Sequence, residues 1–195
     1  DRSDGGRLVR HILETVDTSD PLLRRDSARA EALKHEREAA AQAYFRKHAA
    51  DWDRIRTLYV SESAVESAIG ARLNGRPLKM LVDLGTGTGR MLEVLADRYE
   101  RGLGLDVNQP MLAYAASRLK TAGLSRAEVR HGDIYNVALP DGIADGVVIH
   151  QVLHYLSEPA HAVREAARIL APGGRLLIVD FAPHNLEELR ERHAH

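Results

Sequence analysis

The stretch Asp83-Leu84-Gly85-Thr86-Gly87-Thr88-Gly89 holds the densest chemistry in this 195-residue sequence. Glycines at every second position let the backbone turn tightly and come within van der Waals reach of a bound molecule. Amides at the start of a following helix can receive an anionic group. The pattern is G-x-G-x-G with an acid two residues ahead, whereas the dinucleotide fingerprint is G-x-G-x-x-G; position 90 is Arg. No G-K-[ST] follows, which removes the phosphate-loop NTPase reading. Taken alone, the loop also fits a tight turn that binds nothing. Asp106 is the second candidate, because a carboxylate can accept hydrogen bonds from two vicinal ribose hydroxyls; its plainer reading is an acid at a helix N-terminus. Gly132-Asp133-Ile134 is the third. Asp133 can accept from the amino group of a nucleobase while its neighbours pack the ring, or it can be a turn residue. His150 and His154 are four apart, a spacing that suits a metal only on a helix. They straddle a strand end, so no metal is expected. Lining a pocket and packing with a satisfied ring are their two readings. His193 and His195 read as a solvated tail.

The three acid-bearing signals gain force from the elements that carry them. Before Gly75-Arg76-Pro77 the pattern is helical. Leu8, Val9, Ile12, Leu13 and Val16 follow helical spacing, and Asp20-Pro21 breaks that run. Residues 26–48 form a charged helix with Leu33, Ala40, Tyr44 and Phe45 on one face and a solvated face of mixed sign. Ser63 to Glu66 reads as a capping box opening a short helix with Val65, Ala68, Ile69 and Leu73, which Asn74-Gly75 stops. After residue 79, strands and helices alternate. Strands are expected at 80–84, 102–106, 127–131, 145–150 and 175–181, with helices at 90–98, 109–121 and 159–170. Asp145 to His150 is nearly continuously apolar and reads as a central strand. Alternation of this kind implies an α/β fold, a mainly parallel sheet with helices on both faces. In such sheets ligands bind at the carboxyl ends of the strands, where Asp83, Asp106 and Asp133 fall.

Composition narrows the function classes. The formal net charge of -1 argues against a broad footprint for nucleic acid or an anionic membrane. The absence of cysteine removes disulfides, thiolate nucleophiles and thiolate metal sites, and suits a reducing cytoplasm. No apolar run approaches the roughly 20 residues of a membrane span. The start, Asp1 to Gly6, carries no initiator methionine and no secretory pattern, and reads as an internal start.

These residues resemble the class I S-adenosylmethionine-dependent methyltransferases, specifically their small-molecule branch. The matching pieces are residues 81–90, Leu105-Asp106, His131 to Asp133, Asp145 to Tyr155 and Leu170 to Arg175. The resemblance implies a Rossmann-like three-layer αβα domain over 77–195, preceded by a helical segment over 1–76 serving as linker, lid or dimerisation helices. It implies that two further strands normally complete such a sheet beyond the stretch present. Asp83, Gly85, Thr86 and Gly87 would hold the methionine end of the cofactor, Asp106 the ribose, Val107 and Met111 the adenine faces, and Gly132, Asp133 and Ile134 the adenine edge. His150 and Gln151 would face the amino group and the transferred methyl. Tyr44 and Trp52 would cover the cofactor or anchor the lead-in helix to the core, and Arg56 would meet the cofactor carboxylate or lie at the surface. S-adenosylhomocysteine is then the product and a small molecule the acceptor. His150 and His154 are the candidate bases where the acceptor must lose a proton.

The lead-in, Ala43 to Phe45 and Trp52 to Arg56, resembles methyltransferases fused behind an ArsR-type winged-helix repressor. That likeness keeps a second expectation open, a transcriptional regulator whose methyltransferase-like domain senses S-adenosylmethionine or a related ligand. Direct nucleic-acid binding by residues 1–195 is not expected, DNA contact being reserved for a winged helix outside them; a homodimer stays open. Arsenic methylation is disfavoured, since such enzymes use several cysteines. A nicotinamide oxidoreductase would require G-x-G-x-x-G and often Tyr-x-x-x-Lys, and neither occurs.

Overall fold

The computed structural model describes residues 17, 19–52, 62–73 and 78–182. The expected helix over Leu8–Val16, the Asn74-Gly75 stop, Arg56 and the charged tail after residue 182 lie outside the described residues.

Contacts divide the chain into two compact units, the first ending at Glu36 and the second running from Arg37. In the first, helix α1 (Pro21–His48) begins. Its start explains the break at Asp20-Pro21. Asp20 Oδ1 accepts from the amides of Leu22 and Leu23 at 2.7 and 3.3 Å, and Pro21 needs no amide partner in the first turn. The helix therefore opens five residues ahead of the expected Asp26.

The second unit contains the rest of α1, helix α2 (Glu62–Arg72) and a five-stranded sheet, all parallel, in the order β3-β2-β1-β4-β5. Its elements are β1 (Leu78–Leu84), α3 (Arg90–Val94), β2 (Tyr99–Asp106), α4 (Gln109–Thr121), β3 (Ala127–His131), β4 (Ala144–His150), α5 (Pro159–Ile169) and β5 (Leu170–Val179). Helix α2 already includes Ser63, so Ser63 sits in the first turn rather than capping it. The expected helix 90–98 is cut into α3 and a 3-10 turn at Ala96–Arg98. Strand β5 pairs Leu170 with Ala144 and then resumes at Arg175 opposite Gly146, so the Pro172-Gly173-Gly174 turn lies inside the pairing as an irregularity.

The period-2 alternation of the strands explains the layers. Leu81 and Val148 face one side and pack with Ile69 of α2 and Leu73 just after it, Leu92 and Leu95 around α3, and Leu119 of α4. Val82, Leu84, Leu103, Leu105, Val147 and Ile149 face the other, against Ala166 and Ile169 of α5. Most of these side chains are essentially fully buried, on both faces of the sheet, which is why the stretch from Gly146 to Ile149 of β4 reads as a nearly continuous apolar run. The chain leaves β1 toward β2 on one side, while β4 joins β1 on the other. The crevice between β1 and β4 is thus the topological switch point.

On the α5 face, the segment after β3 is fixed by two side chains of that helix. Glu165 accepts the Val137 amide at 3.0 Å, and Arg168 donates to the carbonyls of Val137 and Leu139 and to Asp141. The Arg168 hydrogen bond holds the Glu165 carboxyl down at about 2. A depressed carboxylate stabilises the fold above its unfolded value of 4.5 and loses that contribution as the pH falls through about 2. Glu165→Gln should therefore lower the urea midpoint at neutral pH, and the gap from the parent should close on acidification. Equal midpoints at pH 7 would show that the clamp contributes nothing.

Candidate functional site

A cavity of about 1000 Å³, its open mouth included, lies over the carboxyl ends of the strands at the switch point. Its floor is the glycine loop after β1. Gly85, Gly87 and Gly89 all take positive φ (75°, 53° and 77°), the left-handed region that glycine enters without a Cβ penalty. The Gly85 and Thr86 amides donate to the Leu105 carbonyl of β2, which folds the loop back over the sheet. Thr86 closes the turn from inside. Its hydroxyl donates to Asp83 Oδ2 at 2.6 Å, and both residues are buried. At Gly87 an added Cβ would meet no atom within 4 Å, so the space above this turn is open.

Asp106 stands at the end of β2 with both carboxylate oxygens engaged by the backbone. Oδ2 accepts the Gly87 amide and Oδ1 the Asn108 amide, each at 2.8 Å. Burial pushes its carboxyl above the ordinary carboxylate value, and these amide bonds offset only part of that. A carboxylate so placed gains from any further donor delivered by a ligand, which is what a pair of vicinal ribose hydroxyls offers. Asn108 then caps α4, accepting the Met111 amide. Gly132, Asp133 and Ile134 line the wall after β3, where Asp133 Oδ1 accepts the Tyr135 amide at 2.8 Å.

Beyond β4 the backbone turns at Gln151, the one non-glycine residue with positive φ (55°) among the described residues. A left-handed side-chain-bearing residue is strained by roughly 1–2 kcal/mol, and such strain recurs where a site needs a particular backbone path. The Gln151 amide donates to the Val179 carbonyl at 2.7 Å, which holds the turn. His150, Gln151 and Val152 face the cavity as a result.

Of the residues expected from the sequence, Trp52, Asp83, Gly85, Thr86, Gly87, Asp106, Val107, Met111, Gly132, Asp133, Ile134, His150 and Gln151 line this one cavity. Two candidates do not. Tyr44 packs edge-on against Phe45 and tilts over His48, a helical neighbour four residues on. His154 is turned into the protein, its Nδ1 2.5 Å from Asp180 Oδ1 and its ring 3.8 Å from that of Tyr155. Burial pushes the Asp180 carboxyl up, but the His154 bond and the Leu153 and Phe181 amides together hold it below its ordinary value. The strand end that separates the two histidines therefore puts His150 at the cavity and His154 behind it.

Glu38, Gln42, Phe45, Asn108, Tyr155 and Leu156 also line the cavity without having been singled out as site residues. Asn108 carries a local structural signal, an Asn two residues before Pro110 at a helix start, while Phe45 and Tyr155 stand only inside longer stretches of resemblance. The others reach the site through long-range packing that spacing does not encode. Phe45 stacks edge-on against Trp52 and Tyr155, with ring centroids 4.9 and 4.7 Å away. Arg90 at the opposite rim is held by both oxygens of Glu66 (2.7 and 3.0 Å) and by Glu93. Among the described residues, no group of three or more His, Asp or Glu is placed to hold a metal ion, and no helix is long and apolar enough to cross a membrane.

Comparison with known proteins points the same way. Residues 82–178 match the sequence model of a methyltransferase domain. The chain is 37% identical over 109 residues to the demethylmenaquinone methyltransferase of Thermus thermophilus, covering 54% of this chain and 48% of that protein. It is 34% identical over 147 residues to the trans-aconitate 2-methyltransferase of Methylobacterium nodulans, covering 73% and 54%. The chain thus spans about half the length of these curated relatives. The solved structure of YcgJ from Bacillus subtilis superposes with a TM-score of 0.59 at 25% identity, over 65% of this chain and 54% of that one. Sheet order, cavity position and these likenesses agree: the chain carries a Rossmann-like methyltransferase domain of the class I S-adenosylmethionine-dependent family.

Proposed function

We propose that this domain transfers the methyl group of S-adenosylmethionine to a small-molecule acceptor. The observation that supports this most is the convergence of the Gly85–Gly89 loop, Asp106, Asp133 and the His150–Gln151 turn, from four different strand ends, on one cavity. The residues fit the cofactor: an open glycine cradle for the methionine end, the part-buried Asp106 carboxylate for the ribose, and Asp133 with Ile134 for the adenine edge. When bound, the cofactor supplies a methyl group activated by its own sulfonium, with a neutral thioether as leaving group.

What remains for the chain is to hold the acceptor in line and to exclude water. Phe45, Trp52, Tyr155 and Leu156 supply an apolar wall for both tasks. Burial raises the Tyr155 hydroxyl well above its ordinary value, so it stays protonated throughout the physiological range. An acceptor that must lose a proton would find His150 as the nearest base; His154, tied to Asp180, serves by packing against Tyr155. Arg56 remains a candidate for the cofactor carboxylate. The ligand-sensing regulator keeps only the likeness of its lead-in behind it, and no observation of the site favours it over transfer.

Isothermal calorimetry with S-adenosylhomocysteine and with NAD tests the cofactor assignment. Saturable binding of the first and none of the second is expected; binding of NAD alone would overturn it.

A further inference from the structure

The C-terminal part of α1, from Arg37 onward, is fastened over the cavity at two points, and both fastenings end on loops that build the site. At the first, Asn108 Nδ2 donates to the Gln42 carbonyl (3.3 Å) and to the Gln42 side-chain oxygen (3.2 Å). At the second, Glu38 accepts the Ser157 hydroxyl at 2.6 Å, and the Tyr135 hydroxyl stands 3.5 Å from the same carboxylate oxygen. Glu38, Gln42 and Phe45 thereby become lining residues.

The two halves of Asn108 do different work. Its oxygen caps α4 through the Met111 amide, and its own amide N–H engages Asp106 Oδ1. Its NH2 group is used by the roof helix alone. Asn108 is also 3% exposed, so its NH2 has little water to fall back on if Gln42 withdraws. Opening the roof therefore costs a buried donor its partner, right beside the carboxylate that faces the ligand.

We propose that Asn108 is a positioning residue that couples docking of the roof helix to retention of the cofactor. Asp106 orients Asn108, Asn108 anchors Gln42, and Gln42 keeps Phe45 over the cavity. A ligand donating to Asp106 holds the loop in the conformation that receives the roof, and a docked roof slows the ligand's escape. By reciprocity of linked equilibria, the ligand must protect the helix to the same extent that the helix protects the ligand. The inference rests on the cofactor assignment above, and its test separates the two.

Asn108→Asp keeps an equally good N-cap acceptor while deleting the NH2 donor. Gln42→Ala removes one of the two acceptors from the other side without touching the loop. For each variant we would measure S-adenosylhomocysteine dissociation by stopped flow and amide hydrogen exchange over residues 41–49, with and without ligand. Dissociation should speed up about tenfold in Asn108→Asp and a few-fold in Gln42→Ala, on the scale of one hydrogen bond. The double variant should add little to Asn108→Asp alone. The ligand should protect residues 41–49 in the parent and not in Asn108→Asp. A residue that merely stabilised α4 would change exchange in α4 and leave the ligand-dependent protection of 41–49 intact; that outcome, or parental dissociation rates, would overturn the proposal. A parent protein that binds no S-adenosylhomocysteine would instead overturn the cofactor assignment.

Discussion

Asp106→Asn should abolish most cofactor affinity, about a 100-fold loss, while leaving a folded protein. The carboxylate accepts two backbone amides with two oxygens, Gly87 on one and Asn108 on the other. A carboxamide has a single oxygen, so one of those N–H groups must then face an NH2. The glycine turn and the start of α4 are no longer held to one point, and the charge-assisted bonds proposed to the ribose would become ordinary ones, worth roughly half. Two such losses of 1.5 kcal/mol or so combine to about two orders of magnitude in affinity.

The same residue gives a pH signature. Burial raises the Asp106 carboxyl above its ordinary value of 3.8, which shifts the balance toward the neutral acid in the empty fold. Its contribution to stability is then fully present below 3.8 and is lost as the pH rises through the raised folded value. A ligand whose hydroxyls donate to the carboxylate reverses that preference. Thermal stabilisation by S-adenosylhomocysteine should accordingly be larger at neutral pH than in the acid range just above 3.8, and this slope should disappear in Asp106→Asn. A variant that binds like the parent, or that keeps the pH slope, would take the ribose role away from Asp106.

How much of this could be read from the sequence follows from how local each feature is. The glycine loop, Asp106 and Asp133 are legible because each is a short pattern at the end of a strand, and the alternation of parallel strands with helices puts those ends on one side of the sheet. The buried centre of β4 announces itself as the run Val147-Val148-Ile149. The misreadings sit where neighbours in space decide. Ser63 has the spacing of a cap, yet the helix begins ahead of it. His150 and His154 look equivalent at four residues apart, until the left-handed turn at Gln151 sends one to the cavity and the other to Asp180. The polar roof contacts of Glu38 and Gln42 reach across 119 and 66 residues of chain, a distance over which no spacing rule operates. Within α1 both looked like members of a solvated charged face, because helical periodicity reports a side chain's azimuth and not its partner.

Gly104→Ala, outside the residues that line the cavity, should strongly destabilise the domain. Gly104 lies in the middle of β2, paired with Asp83 of β1 and Val129 of β3. An added Cβ would come 2.5 Å from Thr86 Oγ1 and 2.8 Å from its Cβ and Cγ2. Strand β2 cannot retreat, since it is hydrogen-bonded on both sides, so Thr86 must move. Thr86 carries the glycine loop and donates its hydroxyl to the buried Asp83. Displacing it strains the floor of the cavity and removes a donor from an acid that is 1% exposed. Overpacking of this kind costs about 1–3 kcal/mol, and losing the Asp83 partner adds about 1–3 kcal/mol more. Urea unfolding should register the sum, and calorimetry should show cofactor binding lost in whatever fraction stays folded. The background Thr86→Gly isolates the cause: with all three contacting atoms gone, the extra methyl should cost little beyond what Thr86→Gly has already cost. If Gly104→Ala is as stable as the parent, or is equally harmful without the Thr86 side chain, the close approach of β2 to the loop is not what requires glycine there.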